Sequence, residues 1–157
     1  MKKYLTLVAA LAMLATACQS NKSQETTVEE EQAESTEIAF EVAQNYFFRN
    51  DQEIPETPKI TTAEEFETYF GMAATMSPDG KPTAIDFDKQ FVVPFVMPAT
   101  DIDTEITPVK VEKDGDKLCC TFSIKQGEQQ SFTIQPLSII IIDKAYEDLD
   151  VELCAVL

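Results

Sequence analysis

The sequence predicts a mainly β fold of the α+β class: a small antiparallel β-barrel or curled sheet carrying one short α-helix. Three observations predict it. Apolar residues alternate with period two through much of the chain after residue 85, Gly-centred turn signals separate those runs, and a single capping box stands before them. Five to seven short strands around one helix is the arrangement that such a pattern builds.

The elements follow in order. Ile38, Phe40 and Val42 alternate as in a strand, whereas Val42, Ala43, Tyr46 and Phe47 also fit a helical face, so residues 38–48 are open to either reading. Thr62-Ala-Glu-Glu65 reads as a capping box, with Phe66, Tyr69 and Phe70 at helical spacing behind it and Gly71 as a stop. A helix over 62–70 is predicted, packing its aromatic face on a sheet. Phe91, Val93, Phe95 and Met97 alternate with Val92, Pro94, Val96 and Pro98. Proline cannot donate to a ladder, so this strand belongs at an edge or carries a bulge. Strands over 106–112, 118–125 and 131–134 are joined by Asp114-Gly115 and by Gln126-Gly127-Glu128, both read as hairpin turns. Ile139 to Ile142 is a continuous apolar run, which suits a strand buried on both faces, and Val151 to Leu157 closes the chain.

Three segments are predicted: 1–17 a leader, 18–37 a tether and 38–157 the β-rich globular domain. Met1-Lys2-Lys3 supplies a short positive start, and Leu5 to Ala15 is apolar apart from Thr6, the pattern of a secretory signal peptide. Its end, Leu14-Ala15-Thr16-Ala17-Cys18, resembles the lipobox of bacterial lipoproteins, although Leu14 stands four residues before the cysteine rather than three. The resemblance implies cleavage before Cys18 and a lipid anchor on its thiol and new amine, a firmer attachment than one acyl chain gives. Gln19 follows the cysteine. By resemblance to the sorting rule of Gram-negative lipoproteins, that residue implies the outer membrane, facing the periplasm or the surface. Residues 18–37 hold six Glu, one Lys and no aromatic residue. Such a segment buries too little apolar surface to offset chain entropy and reads as a leash spanning about 25 Å.

Twelve basic and 28 acidic residues give the 157-residue chain a formal charge of −16. Nucleic acid is thereby excluded as a partner, because like charge repels the phosphate backbone. The chain contains no His, which removes the usual triads, His-ligated zinc and the commonest general base near neutral pH. No Gly-rich phosphate loop or nucleophile elbow occurs either. The expectation is a binding protein and no enzyme, with no cofactor and no metal.

Several residues remain to be weighed. Leu118, Cys120, Phe122 and Ile124 share one strand face and Cys119 the other, while Cys154 lies opposite Val151 and Leu153. If those strands are neighbours, Cys119 and Cys154 are the thiols placed to pair as a disulfide. Asp101, Asp103 and Glu105 alternate, a spacing that a loop could fold around calcium, but they lack the central Gly of an EF-hand. Asp86 and Asp88 read as two carboxylates on one face of a strand. The segment from Met72 to Thr83 is the candidate partner-binding loop: Met72, Met76, Ser77, Pro78, Asp79, Gly80 and Lys81 combine exposed-looking methionines, a turn and stiffening prolines. A loop fixed in advance loses less entropy on binding, which suits protein recognition, and equally it connects the helix to the next strand.

Asn45-Tyr-Phe-Phe-Arg-Asn50, Phe70-Gly-Met-Ala73, Gly80-Lys-Pro-Thr-Ala-Ile-Asp-Phe87 and Ile141-Ile-Asp-Lys144 give the chain a resemblance to small lipoproteins of Gram-negative anaerobes. Lipobox, acidic leash and a β-rich domain together resemble in architecture the potempins, lipoprotein inhibitors of secreted proteases. That resemblance implies an outer-membrane, lipid-anchored binding protein that inhibits a secreted protease. The alternative is a structural or envelope-associated interaction lipoprotein without inhibitory activity.

Overall fold

The computed structural model describes residues 35–73 and 80–157. Among these, the elements run β1 (Thr36–Glu37), β2 (Phe40–Ala43), β3 (Tyr46–Phe48), α1 (Ala63–Tyr69), β4 (Phe70–Met72), β5 (Gln90–Val96), β6 (Thr100–Asp114), β7 (Lys117–Ile134), β8 (Leu137–Asp143) and β9 (Asp150–Val156). The described residues are mainly β with one short α-helix. Their strands form three sheets, in the orders β1-β6-β7-β9, β2-β8-β5 and β3-β4, none of which closes on itself among the described residues. Cys18 with the expected leader, most of the tether, and Met76, Ser77, Pro78 and Asp79 lie outside the described residues.

The central strand is β8. Four consecutive isoleucines, Ile139 to Ile142, are each nearly or wholly removed from solvent, and alternate strand positions face opposite ways. Ile140 and Ile142 join Phe91, Val93, Val111, Leu118, Cys120 and Phe122, which fills the space between the three- and four-stranded sheets. Ile139 and Ile141 join Val92, Val96, Phe48, Phe66 and Phe70, which packs the helix and the antiparallel β3-β4 pair on the opposite face. Each such burial contributes about 1.5–3 kcal/mol relative to exposure. The domain is therefore layered: four-stranded sheet, three-stranded sheet, then the helix with the two-stranded sheet.

Several local expectations are met. Strand β5 lies at the margin of its sheet, pairing with β8 alone among the named strands, so the missing N–H of Pro94 leaves no gap in a ladder. One short bridge, between Val92 and Ile60, touches its outer side. Helix α1 starts where the capping box predicts: the Thr62 hydroxyl accepts from the Glu65 N–H at 3.3 Å. Its aromatic face packs on the central sheet through Phe66. The ambiguous segment 38–48 is extended, because Asn45 takes a left-handed conformation, φ 62°, between β2 and β3.

Other expectations are corrected. Gly71 is no helix stop: Phe70 is already extended at φ −120° and Gly71 lies within β4. The Phe47 ring covers this glycine: a Cβ would lie 2.3 Å from its Cζ, so any side chain there would make the ring shift. The tip of the β6-β7 hairpin is Gly115-Asp116, one residue beyond the predicted Asp114-Gly115, since Asp114 pairs with Lys117 and Gly115 supplies the positive φ of 57°. Gln126-Gly127-Glu128 is not a turn, for β7 runs unbroken through it. The ladder slips instead: Thr104 pairs with Gln126 and Ile102 with Gln129, and Gly127 lies directly against Asp103. A strand glycine marks a bulge or a close approach as readily as a turn.

Not every pairing is antiparallel. Strands β7 and β9 are parallel neighbours, because the chain crosses to the other sheet as β8 before returning. Thr36 and Glu37, at the end of the expected tether, pair with Lys113 and Glu112.

Candidate functional site

The corner Gln44-Asn45-Tyr46 organises the site. Its left-handed turn at Asn45, a residue type that tolerates this conformation, points main-chain and side-chain polar groups outward from β2 and β3. The stretch from Ala73 to Thr83 docks on it at both ends. Before the candidate loop, the Ala73 N–H donates to the Asn45 carbonyl at 2.8 Å. Beyond it, the Asn45 side-chain amide donates to the Lys81 carbonyl at 2.9 Å, and the Thr83 N–H donates to the Gln44 carbonyl at 3.2 Å. The Gln44 N–H in turn donates to the Thr83 hydroxyl at 3.0 Å, and the Tyr46 hydroxyl donates to the Thr83 carbonyl at 2.6 Å. Partial burial pushes the Tyr46 phenol above its ordinary pKa, which keeps it a donor.

Of the predicted loop residues, Met72 ends β4 and is 67 % exposed, Gly80 is buried at the foot of the loop, and Lys81 is exposed. The four between them lie outside the described residues. What the structure contributes is the geometry of the base: entry and exit are fixed on three successive residues.

Beside this base lies a cavity of about 690 Å³. Tyr46, Phe66, Phe70 and Phe87 supply aromatic walls, with Arg49, Glu67 and Lys81 also lining it. Phe66 is the hub, its ring meeting Tyr46 edge-on at 5.1 Å, Phe70 at 5.0 Å and Phe87 at 5.7 Å. Arg49 is positioned by its N–H to the Tyr69 carbonyl at 2.8 Å and its Nε to the Glu67 carbonyl at 3.0 Å. Sequence reasoning missed this cavity, because its walls come from three separated segments. The described lining comes from residues 46–49, 63–72 and 81–87.

The cysteines fall on the faces expected. Cys120 is wholly buried in the core, where desolvation pushes its thiol up to about 12. Cys119 and Cys154 lie half-buried on one face of adjacent strands, but Cys119 pairs with Glu152 and Cys154 with Thr121. They are thus offset along the ladder, and all three thiols are free. Burial and the neighbouring Glu152 carboxylate both raise the Cys119 thiol, which keeps it protonated and a poor nucleophile.

The carboxylate candidates are placed apart from this site. Asp101, Asp103 and Glu105 alternate along the extended β6 rather than folding into a loop, and Asp101 accepts from the Gln129 side chain at 2.6 Å. Among the described residues no group of three His, Cys, Asp or Glu is placed to hold a metal. Asp86 and Asp88 are not on a strand. Asp86 accepts the Asp88 N–H at 3.1 Å and pairs with Lys89 at 2.8 Å, which makes the turn into β5 and lowers its carboxyl pKa.

Among the described residues no helix is long and apolar enough to cross a membrane. No family model, curated protein or solved structure matches the chain.

Proposed function

We propose that the chain is a lipid-anchored binding protein of the outer membrane, held at Cys18, that presents the segment Met72 to Thr83 to a protein partner. The partner class that the resemblance to potempins implies is a secreted protease, met at its active-site cleft by a loop whose two ends are already fastened. In this reading the domain is a binder and no enzyme, it faces the periplasm or the surface, and its long β6-β7 hairpin curls over the central sheet as a support.

The observation that supports it is the doubly fastened base. Ala73 on one side and Lys81 and Thr83 on the other are hydrogen-bonded to Gln44, Asn45 and Tyr46. Fixing both ends in the free protein removes part of the ordering cost that binding otherwise carries. An enzyme of this composition would need a base other than His. The candidate carboxylates Asp86 and Asp88 make a turn, and Asp101, Asp103 and Glu105 are spread along a strand, which supports the binding reading.

The test is direct. The full chain is titrated against the secreted proteases of the organism that encodes it, and the same titration is made with residues 74–79 replaced by Gly and Ser. Saturable inhibition lost on replacement supports the proposal. Full protease activity throughout removes the inhibitor reading and leaves the envelope-associated alternative.

A further inference from the structure

We infer that the aromatic cavity beside the loop base is a binding site for an aromatic monocarboxylate. The argument begins with charge. In a chain of net charge −16 acids outnumber the cations they can pair with. Lys89, Lys110, Lys117 and Lys144 each sit within 4 Å of a carboxylate, and Lys59 is held by the Glu147 and Leu149 carbonyls. Arg49 and Lys81, like Lys113 and Lys125, are in no ion pair among the described residues, but they alone of these four line a cavity. Among the described residues Arg49 donates to main-chain carbonyl only, through Nε to Glu67. No ion pair or hydrogen bond holds the Lys81 ammonium among those residues. Both line the same cavity.

The walls set the other half of the ligand. Phe66, Phe70 and Phe87 with Tyr46 offer ring faces and edges, which favour offset or edge-on contact with another ring over a flexible chain. A volume of about 690 Å³ lies in the range of small-molecule sites. An arginine fork beside an ammonium recognises a planar carboxylate through charge-assisted hydrogen bonds. Glu67 on the same lining and the acidic chain around it select against a dianion. This site shares Lys81 with the proposed segment Met72–Thr83, but every residue used lies outside 74–79, the part replaced in the loop test.

The experiment is calorimetric titration of the full chain with 2-naphthoate, with 2-naphthylmethanol as the neutral isostere and dodecanoate as the aliphatic carboxylate. Saturable 1:1 binding of 2-naphthoate is expected, about tenfold tighter than either comparison ligand. In R49Q/K81Q the affinity for 2-naphthoate falls about tenfold and that for the alcohol stays unchanged. If the double variant does not show the thermal transition of the parent, K81Q alone replaces it, with a loss of about threefold expected. No binding of 2-naphthoate, an alcohol bound equally well, or an unaltered affinity in the folded variant overturns the inference. Dodecanoate binding as tightly as 2-naphthoate overturns its aromatic specificity. Because inhibition of a protease is not read here, failure of this site and failure of the loop proposal are told apart.

Discussion

The Tyr46 hydroxyl donates to the Thr83 carbonyl at 2.6 Å, joining β3 to the far end of a loop 37 residues later in the chain. The same ring lies edge-on to Phe66 of the helix at 5.1 Å. One side chain therefore couples the aromatic core to the position of the loop base, and Tyr46→Phe separates the two roles. The ring packing survives and the hydrogen bond does not, so a loss of about 0.5–1.5 kcal/mol in urea unfolding is expected. Faster amide exchange at Thr83, with exchange in β8 unchanged, is the local sign that the base has loosened.

Gly71→Ala tests the close approach of Phe47. A methyl at that position meets the Phe47 ring at 2.3–2.9 Å, but the ring is 47 % exposed and can swing toward solvent. A cost of about 1–2 kcal/mol is expected, at the mild end of overpacking. Placing Phe47→Ala in the same chain should abolish most of that cost. A double-mutant cycle measures the coupling, and additive effects would refute the contact.

The central strand divides the core, so neighbouring isoleucines should report on different layers. Ile140→Ala and Ile141→Ala each leave a cavity costing about 2–5 kcal/mol. Aromatic NMR signals of Phe66 and Phe70 should shift in the Ile141 variant, which opens the helix side. Those of Phe91 and Phe122 should shift in the Ile140 variant.

Alkaline stability should carry the mark of Cys120. Its thiol has an ordinary pKa of 9.0 when unfolded and about 12 in the core. Between these values the unfolded chain has released a proton that the folded chain retains, so stability is complete below pH 9 and declines as pH rises toward 12. The expected slope from this group is about 1.4 kcal/mol per pH unit within that window. Cys120→Ala lowers stability at pH 7 and flattens the decline, measured by denaturant titration at pH 8, 9.5 and 11.

Much of this fold could be read from the chain itself, and the exceptions share a cause. The Ile139–Ile142 run and the Thr62 capping box are local signals, with the burial and the hydrogen bond that each specifies. Pro94 announced an edge for a similarly local reason, its missing donor. Gly71 and Gly127 misled because glycine marks a cap, a turn, a bulge or a close approach alike, and only the neighbour decides: Phe47 in one case and Asp103 in the other. The parallel partnership of β7 with β9 depends on where β8 goes between them, which no short pattern encodes. The cavity is of that kind too, with Tyr46, Phe66 and Phe87 brought together from distant positions.

The central claim is that a lipid-anchored domain recognises a protein through the segment fastened to Gln44, Asn45 and Tyr46. Its most direct test is affinity capture from solubilised outer membrane and culture medium, comparing the intact chain with one whose residues 74–79 are replaced by Gly and Ser. The account predicts a stoichiometric protein partner retained by the first and lost by the second, with both chains carrying acyl groups on Cys18 by mass spectrometry. The same proteins captured by both chains, or a Cys18 sulfur without lipid, would contradict it.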